Sequence, residues 1–180
     1  MTQFSREQFE TFLAMVDLSA YRERFIKIKS VEMDLHKSIH ALETIYKEYW
    51  DNGNNRIAPL MFDEYYDIYL SSCRNEIEKF KVEKGFGSDC ECFNRGLKAR
   101  IYRTWTAILT QIQAGLVAKE VFANDKIEMS AELDYKKVDI LIIKQNGERI
   151  EIQVKKDTNR SEMRRMIGHG TETEIAGEKY

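Results

Sequence analysis

The chain has 180 residues, 43% apolar and 32% charged, which fits one globular domain, or one with a helical appendage, and excludes a disordered tail. Its 28 Lys and Arg stand against 30 Asp and Glu, a net charge of −2 that does not advertise a polyanion binder, although the placing of charge matters more than its total. With 9 Gly and 1 Pro a turn-rich all-β fold is disfavoured; no apolar run is long enough to span a bilayer, no signal peptide is read at the start, and 3 Cys suit reduced thiols in a cytoplasmic protein.

Ser5 and Gln8 carry the pattern of a capping box, opening a helix with Phe9, Phe12, Leu13 and Val16 along its apolar stripe. A second helix is predicted from Ser30 or Val31 to Trp50, burying Leu35, Ile39, Leu42, Ile45, Tyr46 and Tyr49, before a loop at Asp51–Asn55. A third follows Pro59, carries Phe62, Tyr65, Tyr66, Tyr69, Cys73, Ile77 and Phe80, and stops near Gly85-Phe86-Gly87. A fourth begins around Cys92 or Asn94 and reaches Phe122, with Gly96 and Gly115 as its weak points. Tyr65, Tyr66, Tyr69, Trp50 and Trp105 read as core first.

After Asn124 the period changes from helical to alternating. Ile127, Met129, Ala131 and Leu133 predict a strand with one wet face; Val138–Ile143 and Arg149–Lys155 predict two more, joined at Gln145-Asn146-Gly147. The fold class is therefore α+β, helical to about residue 123 and then a small antiparallel sheet. A two-residue turn would set Asp139 opposite Val154, among aliphatic side chains. A three-residue loop with Gly147 left-handed instead pairs Val138 with Val154, Ile140 with Ile152 and Ile142 with Ile150, and sets Asp139 against Gln153 and Leu141 against Glu151. A slip of one residue would bury charge, so the three-residue loop is predicted.

That register brings an acid, an amide and a lysine to one face: Asp139, with Gln153 and Lys155 written as Gln153-Val154-Lys155. This is the layout of the PD-(D/E)xK nucleases. A carboxylate holds Mg²⁺ through oxygen, the ion polarises the scissile phosphate and acidifies a bound water, and a lysine stabilises the developing charge or orients and helps deprotonate that water. Gln is a weaker ligand than Glu, so the metal is expected to lean on Asp139, the Val154 carbonyl and Asp134. The plain alternative is an ordinary solvated strand face. Two basic clusters lie at 95–103 (Arg95, Lys98, Arg100, Arg103) and 155–165 (Lys155, Lys156, Arg160, Arg164, Arg165); the first also reads as a solvated helix face. His36 with His40, and Cys90-x-Cys92, lack the further ligands a zinc site needs.

The chain resembles the TaqI-type type II restriction endonucleases. The resemblance is carried by Phe9–Ala14, Asp17-Leu18, Tyr21, Ile28–Leu35, Tyr46–Trp50 and Gly96–Thr104, with Lys98 where the family is expected to have Glu, and most specifically by Glu132-Leu133-Asp134, Val138-Asp139 and Ile152–Lys156 with Arg160-Ser161-Glu162. It implies Mg²⁺-dependent cleavage of both strands of double-stranded DNA at TCGA, leaving 5′-phosphates, with Asp139, Gln153 and Lys155 catalytic and Asp134 in the acidic cluster. A palindromic site further implies a homodimer. Lys156, Thr158, Arg160 and Arg164 would grip phosphates or bases, and Arg100 and Arg103 would reach the backbone. The resulting division is a helical region over 1–90, a nuclease core over 91–165 and a mobile tail over 166–180. The resemblance fades after Arg164, so the expectation is a truncated or frameshifted relative, its core incomplete and one sheet edge exposed. A repair or junction nuclease of the same superfamily and a non-catalytic DNA-binding remnant are the competing readings.

Overall fold

The computed structural model describes residues 4–17, 31, 35, 39–51, 58–87 and 89–155, with the backbone of 174–175 and 178–179. Its elements are α1 (Arg6–Met15), α2 (Ala41–Tyr49), α3 (Phe62–Ser72), α4 (Arg74–Glu83), α5 (Glu91–Val121), β1 (Lys126–Glu128), α6 (Ala131–Tyr135), β2 (Ile140–Ile143), β3 (Arg149–Ile152), β4 (Glu174–Ile175) and β5 (Glu178–Lys179). The class is α+β, as predicted. The chain divides into two compact units, Met1–Leu109 and Thr110–Tyr180.

The first unit is helical and its core is aromatic. Ser5 caps α1 with a full capping box, and Phe9 and Phe12 are buried. Trp105, 1% exposed, packs against Phe62 at 5.3 Å, Tyr102 at 5.5 Å, Phe12 at 6.2 Å and Tyr49 at 6.4 Å between ring centroids. Its indole N–H donates to the Tyr49 hydroxyl at 2.7 Å, which donates in turn to the Leu60 carbonyl at 2.8 Å. Tyr102 donates its hydroxyl to the Asp17 carbonyl. Giving the buried polar tips of Trp105, Tyr49 and Tyr102 hydrogen-bond partners offsets their desolvation, whereas the Tyr69 hydroxyl is buried without one among the described residues. Tyr65, Tyr66, Tyr69 and Trp50 are buried here as well.

Two of the predicted helices differ from the sequence reading, and the fourth agrees with it. The second predicted helix is interrupted at His40, which is left-handed at φ 45° and precedes α2; Leu35 and Ile39 are nonetheless fully buried. The third is two helices, α3 and α4, parted at Cys73 (φ −113°, ψ 18°). Cys73 keeps the helical bonding, receiving the Ile77 N–H and giving its own to Tyr69, while its thiol donates to the Ile39 carbonyl at 3.4 Å. The fourth, α5, runs unbroken through Gly96 and Gly115.

In the second unit the sheet order is β1-β2-β3, all antiparallel. The predicted register holds: Ile140 pairs with Ile152, Leu141 with Glu151 and Ile142 with Ile150. The loop is the three-residue one, with Lys144 N–H donating to the Glu148 carbonyl at 2.9 Å and Gly147 N–H to the Lys144 carbonyl at 2.9 Å. Gly147 is left-handed at φ 85°, and nothing lies within 4 Å of where a Cβ would project. Gly147→Ala is therefore expected to cost about 1–2 kcal/mol from backbone strain alone, with Asn costing less, as denaturant melts would measure.

One expectation about this sheet is corrected here. The strand over Ile127–Leu133 stops at Glu128, because the Ser130 hydroxyl accepts the Leu133 N–H at 3.2 Å and caps α6 instead. Met129 and Ala131 remain buried, so the alternation reported burial correctly while misreporting backbone. Leu141, paired with Glu151 as expected, is 1% exposed, because β2, paired on both edges, is buried on both sides. Within the predicted tail, β4 pairs with β5. Among the described residues no helix is long and apolar enough to cross a membrane.

Candidate active site

The start of β2 and the end of β3 build the site. The regular ladder finishes at Ile140–Ile152, so the Val138–Val154 and Asp139–Gln153 backbone pairs expected beyond it are not formed. Asp139 takes over instead: its N–H donates to the Ile152 carbonyl at 3.0 Å, and its carboxylate Oδ2 accepts the Val154 N–H at 2.6 Å. One aspartate side chain thus replaces a rung of backbone bonding and anchors the Gln153-Val154-Lys155 segment.

Asp134 is brought close by the way α6 ends. Val138 N–H reaches back to the Leu133 carbonyl at 3.0 Å and Lys137 N–H to the Asp134 carbonyl at 2.8 Å, the paired bonds of a Schellman ending. Its left-handed position is Lys137, φ 66°, where glycine would be relaxed. This strained turn separates the two acids in sequence and folds them together in space.

Asp139 is 5% exposed. Burial raises its carboxyl above the ordinary value, the Val154 amide opposes that, the Asp134 charge raises it further, and Lys155 lowers it. The sequence-predicted Asp139, Asp134, Val154 and Lys155 therefore share one electrostatic neighbourhood. Lys155 and Gln153 are exposed, Asp134 and Val154 half-buried. Sequence reasoning missed Gln111, on α5, whose side-chain N–H donates to Asp139 Oδ1 at 3.1 Å. A half-buried amide bordering the Ile108–Ile112 stripe is its only sequence signature.

The oxygen donors suit a hard cation of Mg²⁺ type, which commonly takes one or two carboxylates and leaves its other positions to water and substrate phosphate. Among the described residues no group of three or more His, Cys, Asp and Glu side chains forms a closed metal cage, so a zinc-like site is not what this geometry offers.

Of the predicted DNA contacts, Lys156, Thr158, Arg160 and Arg164 lie outside the described residues, as does His36. Arg100 and Arg103 belong to the helical unit and are half-buried, and burial lowers both from the ordinary arginine value. Lys98 pairs with Asp63 at 2.8 Å and lies over the Tyr66 ring at 5.5 Å. The basic face over 95–103 is thus only partly solvated, with Arg95 exposed and Lys98, Arg100 and Arg103 half-buried.

The TaqI restriction endonuclease family model matches residues 6–171, beyond the Arg164 at which the sequence resemblance faded. The chain belongs to this family. Similar family proteins include the type II restriction enzyme TaqI of Thermus aquaticus, 32% identical over 160 residues that make up 89% of this chain and 60% of that enzyme. The type II restriction enzyme TthHB8I of Thermus thermophilus is 32% identical over 160 residues, 88% of this chain and 59% of the relative. The chain thus spans about 60% of the length of the curated relatives it matches. No solved structure matches it.

Proposed function

We propose that this chain is a type II restriction endonuclease that hydrolyses both strands of double-stranded DNA, with TCGA as its site and Mg²⁺ as its metal, acting as a homodimer that offers one centre to each strand. The observation that carries the proposal is the Asp139 carboxylate, held by the Val154 amide at 2.6 Å and flanked by charges from Asp134 and Lys155, in a chain whose family match includes all four.

Asp139 and Asp134, with the Val154 carbonyl, are the residues that would hold the cation. When bound, Mg²⁺ supplies Lewis-acid polarisation of the phosphate and a more acidic water. The remaining work falls to the chain. Lys155, exposed at the end of the anchored segment, offers an ammonium to the negative charge that grows on the phosphoryl oxygens as the attacking water adds and the 3′-oxygen departs. Gln153 contributes a neutral amide, which adds an oxygen donor without a third negative charge beside the incoming phosphate. Asp139 is kept from tumbling by its backbone tether, so the acid and the lysine advance on the substrate as one unit. Lys156, Thr158, Arg160 and Arg164 would supply phosphate or base contacts, with Arg100 and Arg103 on the backbone.

Incubating the purified chain with plasmid DNA and Mg²⁺, and sequencing the fragment ends, tests this directly. Discrete fragments with 5′-phosphates at TCGA are expected, abolished by EDTA and reduced at least about a hundredfold in Lys155→Ala. Binding with no Mg²⁺-dependent cutting, indifferent to Lys155→Ala, would point to a non-catalytic DNA-binding role. Cutting of nicked or branched DNA without sequence preference would point to a repair nuclease.

A further inference from the structure

The buried Asp139 carboxylate has two oxygens and two fixed donors, one from the segment that follows β3 and one from α5. We infer that Gln111 of α5 is a positioning residue for Asp139, fixing the rotation of its carboxylate so that the free lone pairs point to where the cation is taken up. The inference rests on the reading of Asp139 as a metal ligand.

An aspartate's terminal torsion is soft and roughly two-fold, so a single hydrogen bond leaves the group free to pivot. Val154 N–H holds Oδ2 at 2.6 Å and Gln111 Nε2 holds Oδ1 at 3.1 Å, from two different elements. A carboxylate has about four lone-pair sites, so two remain for an ion and its water. The choice of an amide is chemically apt. Arg or Lys at 111 would pair with Asp139 and compete with the cation; Glu would repel it and add an unplanned ligand. Gln donates without cancelling the charge the ion needs, and Asp139, 5% exposed, leaves little room for water in its place. Partners of this kind, one step out from a metal, commonly change affinity by about 10–100-fold when removed.

The test is Mn²⁺ uptake by the full chain without DNA, followed by water-proton relaxation, in the parent, Gln111→Leu and Gln111→Asn. Leu keeps volume and removes the donor; Asn keeps the amide and withdraws it from reach. Both are expected to weaken Mn²⁺ binding about 10–100-fold, with a modest fall in melting temperature from the lost hydrogen bond and metal-free DNA binding near the parent's. In an Asp139→Ala background the Leu change is expected to add no further loss, because the residue acts through that carboxylate. Binding within about twofold of the parent in either variant, or a loss that persists undiminished without Asp139, overturns the inference. A parent chain that takes up no Mn²⁺, or an Asp139→Ala chain that takes it up equally well, overturns the underlying metal reading instead.

Discussion

Asp139→Ala is expected to lower Mg²⁺-dependent DNA cleavage by on the order of 10³-fold or more, the scale on which losing one catalytic group acts in hydrolases, while DNA binding is largely retained. The asparagine variant divides the role further. Asn keeps an oxygen for the Val154 N–H, and the Gln111 amide has only to turn over to accept from the new NH₂. Packing and hydrogen bonding survive, yet the negative charge that would hold a cation is gone, so cleavage falls as far as in Ala. Stability moves the other way. Burial raises Asp139 above its ordinary 3.8, and a carboxyl raised in the folded state costs stability once both states are ionised. That cost appears as pH rises through the folded value and is absent below the unfolded one. Metal-free Asp139→Asn should therefore melt above the parent at pH 7, with the gap closing as pH falls toward 3. Cleavage at the parent rate in either variant would remove Asp139 from the active site; an Asn variant that melts below the parent at pH 7 would refute the burial cost.

Trp105→Ala is expected to destabilise the helical unit by about 3–5 kcal/mol, a large part of the 5–15 kcal/mol that holds a typical domain together. Trp105 touches Phe12, Tyr49, Phe62 and Tyr102, and its removal also leaves the Tyr49 hydroxyl without its donor. Trp105→Phe separates the two losses: it keeps most of the packing and forfeits the N–H bond, so a cost of about 1–2 kcal/mol is expected. Urea melts followed by circular dichroism measure both. The chain has 2 Trp, which leaves Trp50 as a second, fluorescent reporter of the same transition. A cost below about 1 kcal/mol for Ala would contradict the packing described here.

Periodicity made the burial pattern legible and left the backbone breaks hidden. Ile39, Leu42 and Ile45 keep helical phase across the left-handed His40, so an apolar stripe continues where the helix does not. At Cys73 the bonds to Tyr69 and from Ile77 persist across the bend, giving the sequence nothing to mark. Ser130 was the readable signal overlooked in the first strand, since a cap competes locally with sheet pairing. The hairpin was legible because burial of charge penalises the wrong register, and Gly147 confirmed it by adopting the turn that suits it. The acids were visible too, but their meeting depends on the Schellman turn at Lys137, which no spacing rule specifies. Gln111 was illegible for a simpler reason: its partner lies well along the chain, just before β2, and one of the two glutamines on α5 carries no pattern.

The meander of β1, β2 and β3 pairs strands that are consecutive in the chain, the first two joined through α6 and the last two through the Gln145-Asn146-Gly147 loop. Loop-closure entropy is small for such neighbours, and topologies built from them assemble rapidly. The acids and the lysine therefore come together through nearby rather than distant parts of the polypeptide. Because β2 is buried on both sides, transplanting the stretch from Lys126 to Lys155 would require a host that covers both faces of the sheet as well as supplying a helix with a glutamine.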